Sequence, residues 1–120
     1  MRNILAVDDS PSMREMVALT LKSAGFNVTS ASDGDEALSA ARSQSFDLVL
    51  SDVNMPRMDG ISLIRALRAE SAYKHTPILM LTTESSADRK REGKAAGATG
   101  WIVKPFDPEL LVATMQRVLR

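Results

Sequence analysis

The sequence predicts an α/β fold, a parallel sheet with helices on both of its faces. Three observations lead there. Short apolar runs alternate with longer helical patterns five times along the 120 residues. Most of these runs have no polar interruption, which suits strands covered on both faces. The segments between them are long enough for the right-handed helical crossovers that parallel neighbours need. The predicted order is βαβαβαβαβα, the pattern of a layered α/β domain.

The first strand is Ile4–Val7. Ser10-Pro11 opens the first helix as an N-cap followed by proline, whose missing N–H costs nothing at that position. Met13, Met16, Val17, Thr20, Leu21 and Ala24 then recur at helical spacing, and Gly25 can close the helix. Phe26-Asn27-Val28-Thr29 alternates, as a strand at a sheet edge does. Ser32 or Asp33 caps the second helix, whose inner face is Ala37, Leu38 and Ala41. Leu48–Leu50 is the third strand. Asp59-Gly60 opens the third helix, with Ile61, Ile64 and Leu67 on one face. Ile78–Leu81 is the fourth strand. The helix at Ser86–Ala96 differs, because its only apolar residues are alanines. Gly93 inside it costs about 1 kcal/mol relative to alanine. It is expected to be the least firmly packed helix, either an element that moves or docks or a plain solvated one. Trp101–Val103 is the fifth strand. Asp107-Pro108 opens the last helix, with Leu111, Thr114, Met115 and Val118 facing inward.

Length and composition narrow the function. Residues 1–120 read as one domain, and a single-domain protein without an output domain is expected. There is no cysteine, which excludes disulfides, thiol catalysis and Cys-ligated zinc. The single histidine, His75, excludes His-cluster metal sites and leaves little room for a Ser-His-Asp triad. The formal net charge of +0 speaks against a uniformly basic nucleic-acid binder. Neutrality is the sum of two opposite halves, −4 over residues 1–60 and +4 over residues 61–120. No apolar run approaches the roughly 20 residues of a membrane span, and the N-terminus is too short in apolar residues for a signal peptide. A cytoplasmic protein is expected.

The residues just past the strand ends carry the chemistry. The first strand ends in Asp8-Asp9, the third in Asp52, the fourth in Thr82-Thr83 and the fifth in Lys104. In an open parallel sheet these ends share one edge, where ligands bind. Two like charges at about 4 Å repel by about 4 kcal/mol at an effective dielectric near 20, so three crowded carboxylates call for positive charge. Lys104 supplies one charge and a divalent metal supplies more. With only oxygen ligands on offer, a hard cation is implied, and Mg²⁺ fits because it keeps waters and pairs with phosphate oxygens. Carboxylate, hard cation, lysine and hydroxyl together suit phosphoryl transfer, with Asp52 as nucleophile. Any one of these residues alone reads more simply as a cap, a turn or an exposed side chain. Their joint placement is the signal.

These residues resemble the response-regulator receiver domain, most closely its chemotaxis CheY-type single-domain members. The matching segments are Ile4–Ser10, Leu48–Gly60, Leu81–Thr83 and Lys104-Pro105-Phe106, in order and at the right spacing. The resemblance implies a flavodoxin-like, doubly wound three-layer sandwich of five strands in the order 2-1-3-4-5 with five helices. It implies that Asp52 is the phosphoacceptor. Asp8 and Asp9 hold Mg²⁺, with Asp9 the direct ligand, and the backbone carbonyl of Asn54 completes the site. Thr82 is the switch hydroxyl, Lys104 binds phosphate, and the Lys104-Pro105 bond is cis. Asn54 and Glu84 position or block the water that removes the phosphate, which is expected to be lost quickly. The switch aromatic falls at Trp101, where the family usually has Tyr or Phe, and Thr83 stands where Ala or Gly is common. Both departures put the standard switch and access to the site in question. The output surface falls on the fourth helix, fifth strand and fifth helix, where Trp101 lies beside Arg89, Lys90, Arg91 and Lys94, a composition favoured at interfaces.

The expected function is a phosphorylation-activated regulator of a two-component system, a signalling protein rather than an enzyme. Its phosphodonor is a sensor histidine kinase, and its output is protein binding, foremost to a flagellar motor switch component in chemotaxis. It is expected to be monomeric and to touch neither nucleic acid nor membrane. The alternatives are a phosphorelay intermediate serving a histidine phosphotransfer protein and a small aspartate-dependent phosphohydrolase. The latter is disfavoured because Asp52-Val53 is followed by Asn54 rather than by a second aspartate.

Overall fold

The structure, a computed structural model, describes residues 1–119. Its strands are β1 (Asn3–Val7), β2 (Asn27–Ala31), β3 (Leu48–Ser51), β4 (Ile78–Thr82) and β5 (Gly100–Val103). Its helices are α1 (Pro11–Ser23), α2 (Gly34–Ser43), α3 (Gly60–Arg68), α4 (Ala87–Ala96) and α5 (Pro108–Val118), with a 3-10 turn at Ser71–Tyr73. All strand pairs are parallel and the order is β2-β1-β3-β4-β5, as the resemblance implies.

Alternate residues of each strand face opposite layers. Ile4 and Ala6 of β1 join Val17 and Leu21 of α1 and Leu111 and Met115 of α5. Leu5 and Val7 turn the other way, toward Leu38 of α2 and Ile61, Ile64 and Leu67 of α3. Each fully buried Leu or Ile side chain contributes about 1.5–3 kcal/mol of transfer free energy. That two-sided burial explains why β1, β3 and β4 are continuous apolar runs.

Register sets up the site. Val7 pairs with Ser51, so the next residues, Asp8 and Asp52, emerge side by side. Thr82 pairs with Val103, so Lys104 comes next beside it. The helix starts behave as their sequences indicate. Ser10, Asp33, Asp59, Ser86 and Asp107 each accept a hydrogen bond from a first-turn N–H. Gly25, at a φ of 95°, closes α1 in the left-handed region. Arg68 of α3 ties the lower half together by donating to the carbonyls of Tyr73, Thr76 and Gly97. Burial pushes its guanidinium below the usual range, and three carbonyl partners offset that cost.

Two expectations need correction. Met16 does not face the core; it is 54% exposed, because α1 buries only the narrower stripe of Val17 and Leu21. The run Trp101–Val103 is not covered on both faces. β5 is the sheet edge opposite β2, Trp101 and Ile102 are half-buried, and Val103 is 42% exposed. An apolar run therefore marks a strand here without marking its place in the sheet. No helix among the described residues is long and apolar enough to cross a membrane.

Candidate functional site

Asp8, Asp52 and Lys104 meet above the carboxyl ends of β1, β3 and β5. Lys104 Nζ donates to Asp8 Oδ2 at 2.6 Å and to Asp52 Oδ2 at 3.1 Å. All three side chains are at least nine-tenths buried. Burial by itself lowers the affinity of Lys104 for its proton. The hydrogen bonds to Asp8 and Asp52 outweigh it and raise the ammonium above its usual range. Lys104 is thus firmly charged.

The second oxygen of each buried carboxylate is also engaged. Asp8 Oδ1 accepts from the Ser10 N–H at 2.9 Å, and Asp52 Oδ1 accepts from the Val53 N–H at 2.7 Å. Arg14 Nη1 donates to the Asp8 carbonyl at 2.8 Å and steadies the turn between β1 and α1. On the other side Gly60 N donates to the Val53 carbonyl at 2.7 Å, closing the loop after β3. Only glycine fits there, because a Cβ at Gly60 would lie 2.1 Å from the Asp52 carbonyl oxygen. Sequence reasoning named Ser10 as a helix cap and Gly60 as a helix opener, each within a matching segment, but not their roles beside Asp8 and Asp52. It missed Arg14 and the Val53 N–H, because backbone groups and contacts of this kind are encoded by no residue pattern.

Asp9 is exposed but offers a carboxylate oxygen within 4.8 Å of those of Asp8 and Asp52. Three carboxylates against one ammonium leave excess negative charge in a small volume. An all-oxygen donor set of this charge suits a hard divalent cation, so the residues fit Mg²⁺. Asn54 is exposed on the loop between β3 and α3.

Thr82 is fully buried, and its Oγ1 accepts from the Glu84 N–H at 3.1 Å. The Glu84 carbonyl accepts from Trp101 Nε1 at 2.8 Å. One peptide segment therefore holds both the hydroxyl and the indole. Hydrogen bonds from the Ser86 N–H and hydroxyl, foremost, hold the Glu84 carboxyl below its usual range, with Arg89 and Asn54 adding to the effect. Thr83 is exposed beside this segment.

The basic run on α4 is less uniform than its sequence. Arg89 pairs with Glu92 and reaches Asp59 at 3.5 Å, and Arg91 pairs with Asp88. Lys90 and Lys94 instead line a shallow depression with Trp101. The indole lies against α4 at Gly93, where a Cβ would come within 2.5 Å of Trp101 Cζ3. Lys104-Pro105 is cis, as expected.

Residues 4–116 match the response regulator receiver domain family. The chain belongs to that family. This receiver is 41% identical over 116 residues to the chemotaxis protein CheY of Pseudomonas aeruginosa, covering 96% of this chain and 94% of the relative. Among solved structures, chemotaxis protein CheY4 of Vibrio cholerae is 58% identical, with a TM-score of 0.95 and 98% of each chain covered. The receiver domain of sensor histidine kinase PA1611 from Pseudomonas aeruginosa is 31% identical with a TM-score of 0.92, covering 98% of this receiver and 97% of that chain. That structure has a magnesium ion coordinated in its active-site cleft.

Proposed function

We propose that this receiver takes a phosphoryl group from a phosphohistidine of a sensor kinase onto Asp52 and signals by binding a protein partner. The observation that supports this most is the bridge from Lys104 Nζ to Asp8 and Asp52 at the edge where three acidic side chains converge. An Asp52 oxygen attacks phosphorus, the P–N bond breaks, and its electron pair leaves with the imidazole. Lys104 is already within hydrogen-bond reach of Asp52 and can turn to the phosphoryl oxygens as they form. Neutralising those oxygens is the chemistry that Mg²⁺ supplies when held by Asp8, Asp9, Asp52 and the Asn54 carbonyl. Hydrolysis removes the phosphoryl group by a second displacement, with the Asp52 carboxylate as leaving group. Water bonds to phosphorus, the bond to Asp52 breaks, and inorganic phosphate leaves. Asn54 and Glu84 flank that water's approach.

Phosphorylation adds roughly 1.5 to 2 negative charges at Asp52. Thr82 then donates toward the phosphoryl group and gives up the Glu84 N–H. The same segment anchors Trp101, so the output face of α4, β5 and α5 feels the change. The names of the chemotaxis relatives support a role in chemotaxis, and the proposed partner is a motor switch component in the cytoplasm that docks on Lys90, Lys94 and Trp101.

Incubation with acetyl phosphate and Mg²⁺ tests the core of this reading. The expected product is an acid-stable, base-labile phosphoprotein that Asp52→Asn does not form. No adduct on the unaltered protein overturns it. Beryllofluoride with Mg²⁺ is expected to shift Trp101 fluorescence, and an unchanged spectrum removes the indole from the switch.

A further inference from the structure

The loop between β3 and α3 carries Asn54, and the next residue, Met55, is buried in the core with Val7, Leu38 and Val53. Val53 N–H on Asp52 and Gly60 N–H on Val53 tie down its two ends. Asn54, Pro56 and Arg57 between them are exposed. Two further contacts fix this exposed part, and both land on the first turn of α2. The Arg57 guanidinium pairs with Asp33, and its Nε lies 3.7 Å from Asp35 Oδ2. The next residue, Met58, lies against Gly34 so closely that a Cβ there would sit 2.8 Å from Met58 Cβ, Cγ and Sδ. Arg57-Met58 therefore sits on Asp33-Gly34 as one unit.

The receiving end is rigid. Asp33 Oδ1 caps α2 by accepting from the Glu36 N–H at 2.8 Å, while Oδ2 takes the arginine. Ser32 closes the same turn by donating through its N–H and hydroxyl to the Glu36 carboxylate. The docking end is under backbone constraint. Arg57 has a φ of 65°, the only positive φ of a non-glycine residue among the described residues. Long side chains rarely adopt that region, so the contacts around Arg57 must over-determine it. A buried ion pair does not explain the arrangement, since the arginine side chain is 68% exposed.

We propose that Arg57 is a positioning residue, a latch that clamps the β3–α3 loop onto the α2 N-terminus and so sets where the Asn54 carbonyl stands relative to Asp8, Asp9 and Asp52. The latch rests on the reading of those residues as a divalent-cation site and deepens it. Met55 holds the loop by its buried side chain, and Arg57 adds the hold on the exposed part of the loop, three residues after Asn54. Its guanidinium does not touch the cation.

Calorimetric titration with Mg²⁺ and thermal melting without Mg²⁺ test this together. Arg57→Asn removes the charge but keeps a residue that tolerates the left-handed region. It is expected to melt close to the unaltered protein and to bind Mg²⁺ about three- to tenfold more weakly. Arg57→Lys keeps a cation for Asp33 and recovers most of the affinity. Added salt that screens exposed pairs weakens Mg²⁺ binding by the unaltered protein more than by Arg57→Asn. Arg57→Gly serves as a second charge-free variant should the asparagine alter the fold. Equal Mg²⁺ affinities in all variants overturn the latch while leaving the metal site standing. No Mg²⁺ binding by the unaltered protein removes the metal site and the latch with it.

Discussion

Gly93 looks like a defect in sequence and is a contact in the structure. Alanine there gains about 1 kcal/mol of helix propensity. It also places a Cβ 2.5 Å from Trp101 Cζ3, and the indole has little freedom to yield because Nε1 is bonded to the Glu84 carbonyl. Overpacking of this kind costs about 1–3 kcal/mol, so the clash outweighs the propensity. Gly93→Ala is expected to lower the urea midpoint in the native background and to raise it in Trp101→Ala, where the ring is gone. Equal changes in both backgrounds would refute the contact, since a double-mutant cycle isolates it. Gly60→Ala is a harsher case. Its Cβ meets the backbone oxygen of Asp52, which no rotamer change relieves, and a loss of about 3 kcal/mol or more is expected in thermal melts. Asp8, Asp52, Lys104 and Thr82 were legible because each lies at a strand end, and strands are readable. The glycines were not, because what fills the space above them comes from another element.

Helix starts are the most legible features of this chain, because a cap and its N–H donor lie within three residues of each other. Four starts were read from Ser or Asp, with Ser32 and Asp33 left open for the second helix, and all four are capped by them, as is the fifth, at Ser86. Two of these caps give acid sensitivity a direction. The Glu36 N–H, foremost, and Arg57 hold the Asp33 carboxyl below its usual value of 3.8 against the opposing effect of burial. For Asp59, burial pushes upward, but the Ser62 N–H and hydroxyl and then Arg89 outweigh it, and its carboxyl also lies below 3.8. A lowered folded pKa contributes stability that is present above the unfolded value and is lost as pH falls through the folded one. Asparagine caps about as well as aspartate but does not titrate. Asp59→Asn is therefore expected to hold the neutral melting temperature within a few degrees and to lose less of it on descending below about pH 4. Parallel acid slopes for the two proteins would count against the cap as the source. α4 is the other outcome at this scale. Its one buried residue is Gly93, whereas α3 buries Ile61, Leu63, Ile64 and Leu67. Amides of α4 are expected to exchange with deuterium well before those of α3, and equal protection would contradict the low packing.

The whole molecule separates its charges, and neutrality conceals the separation. The −4 half carries the acidic site and the +4 half carries α4 and Lys104. The alternation of strands and helices was legible from periodicity alone. The register was not, and it is the register that sets Asp8 beside Asp52 and brings Lys104 across from the basic half. Among the described residues one ammonium, Lys104, meets a cluster of three carboxylates that each place an oxygen within 4.8 Å of the others, so repulsion opposes folding in the absence of a bound cation. Mg²⁺ at about a hundred times its Kd stabilises the folded state by about 2.7 kcal/mol, which raises Tm by roughly 10 °C for a domain of this size. The variants order themselves by the charge they leave. Asp52→Asn removes one carboxylate, so its Tm without Mg²⁺ is expected to rise and its response to Mg²⁺ to shrink. Lys104→Met removes the only cation in contact with Asp8 and Asp52 among the described residues, so its Tm without Mg²⁺ is expected to fall and its response to Mg²⁺ to grow. Calorimetric melts of the three proteins with and without Mg²⁺ check the order. Equal Mg²⁺ responses would mean that the convergence of charge at this sheet edge does not limit stability.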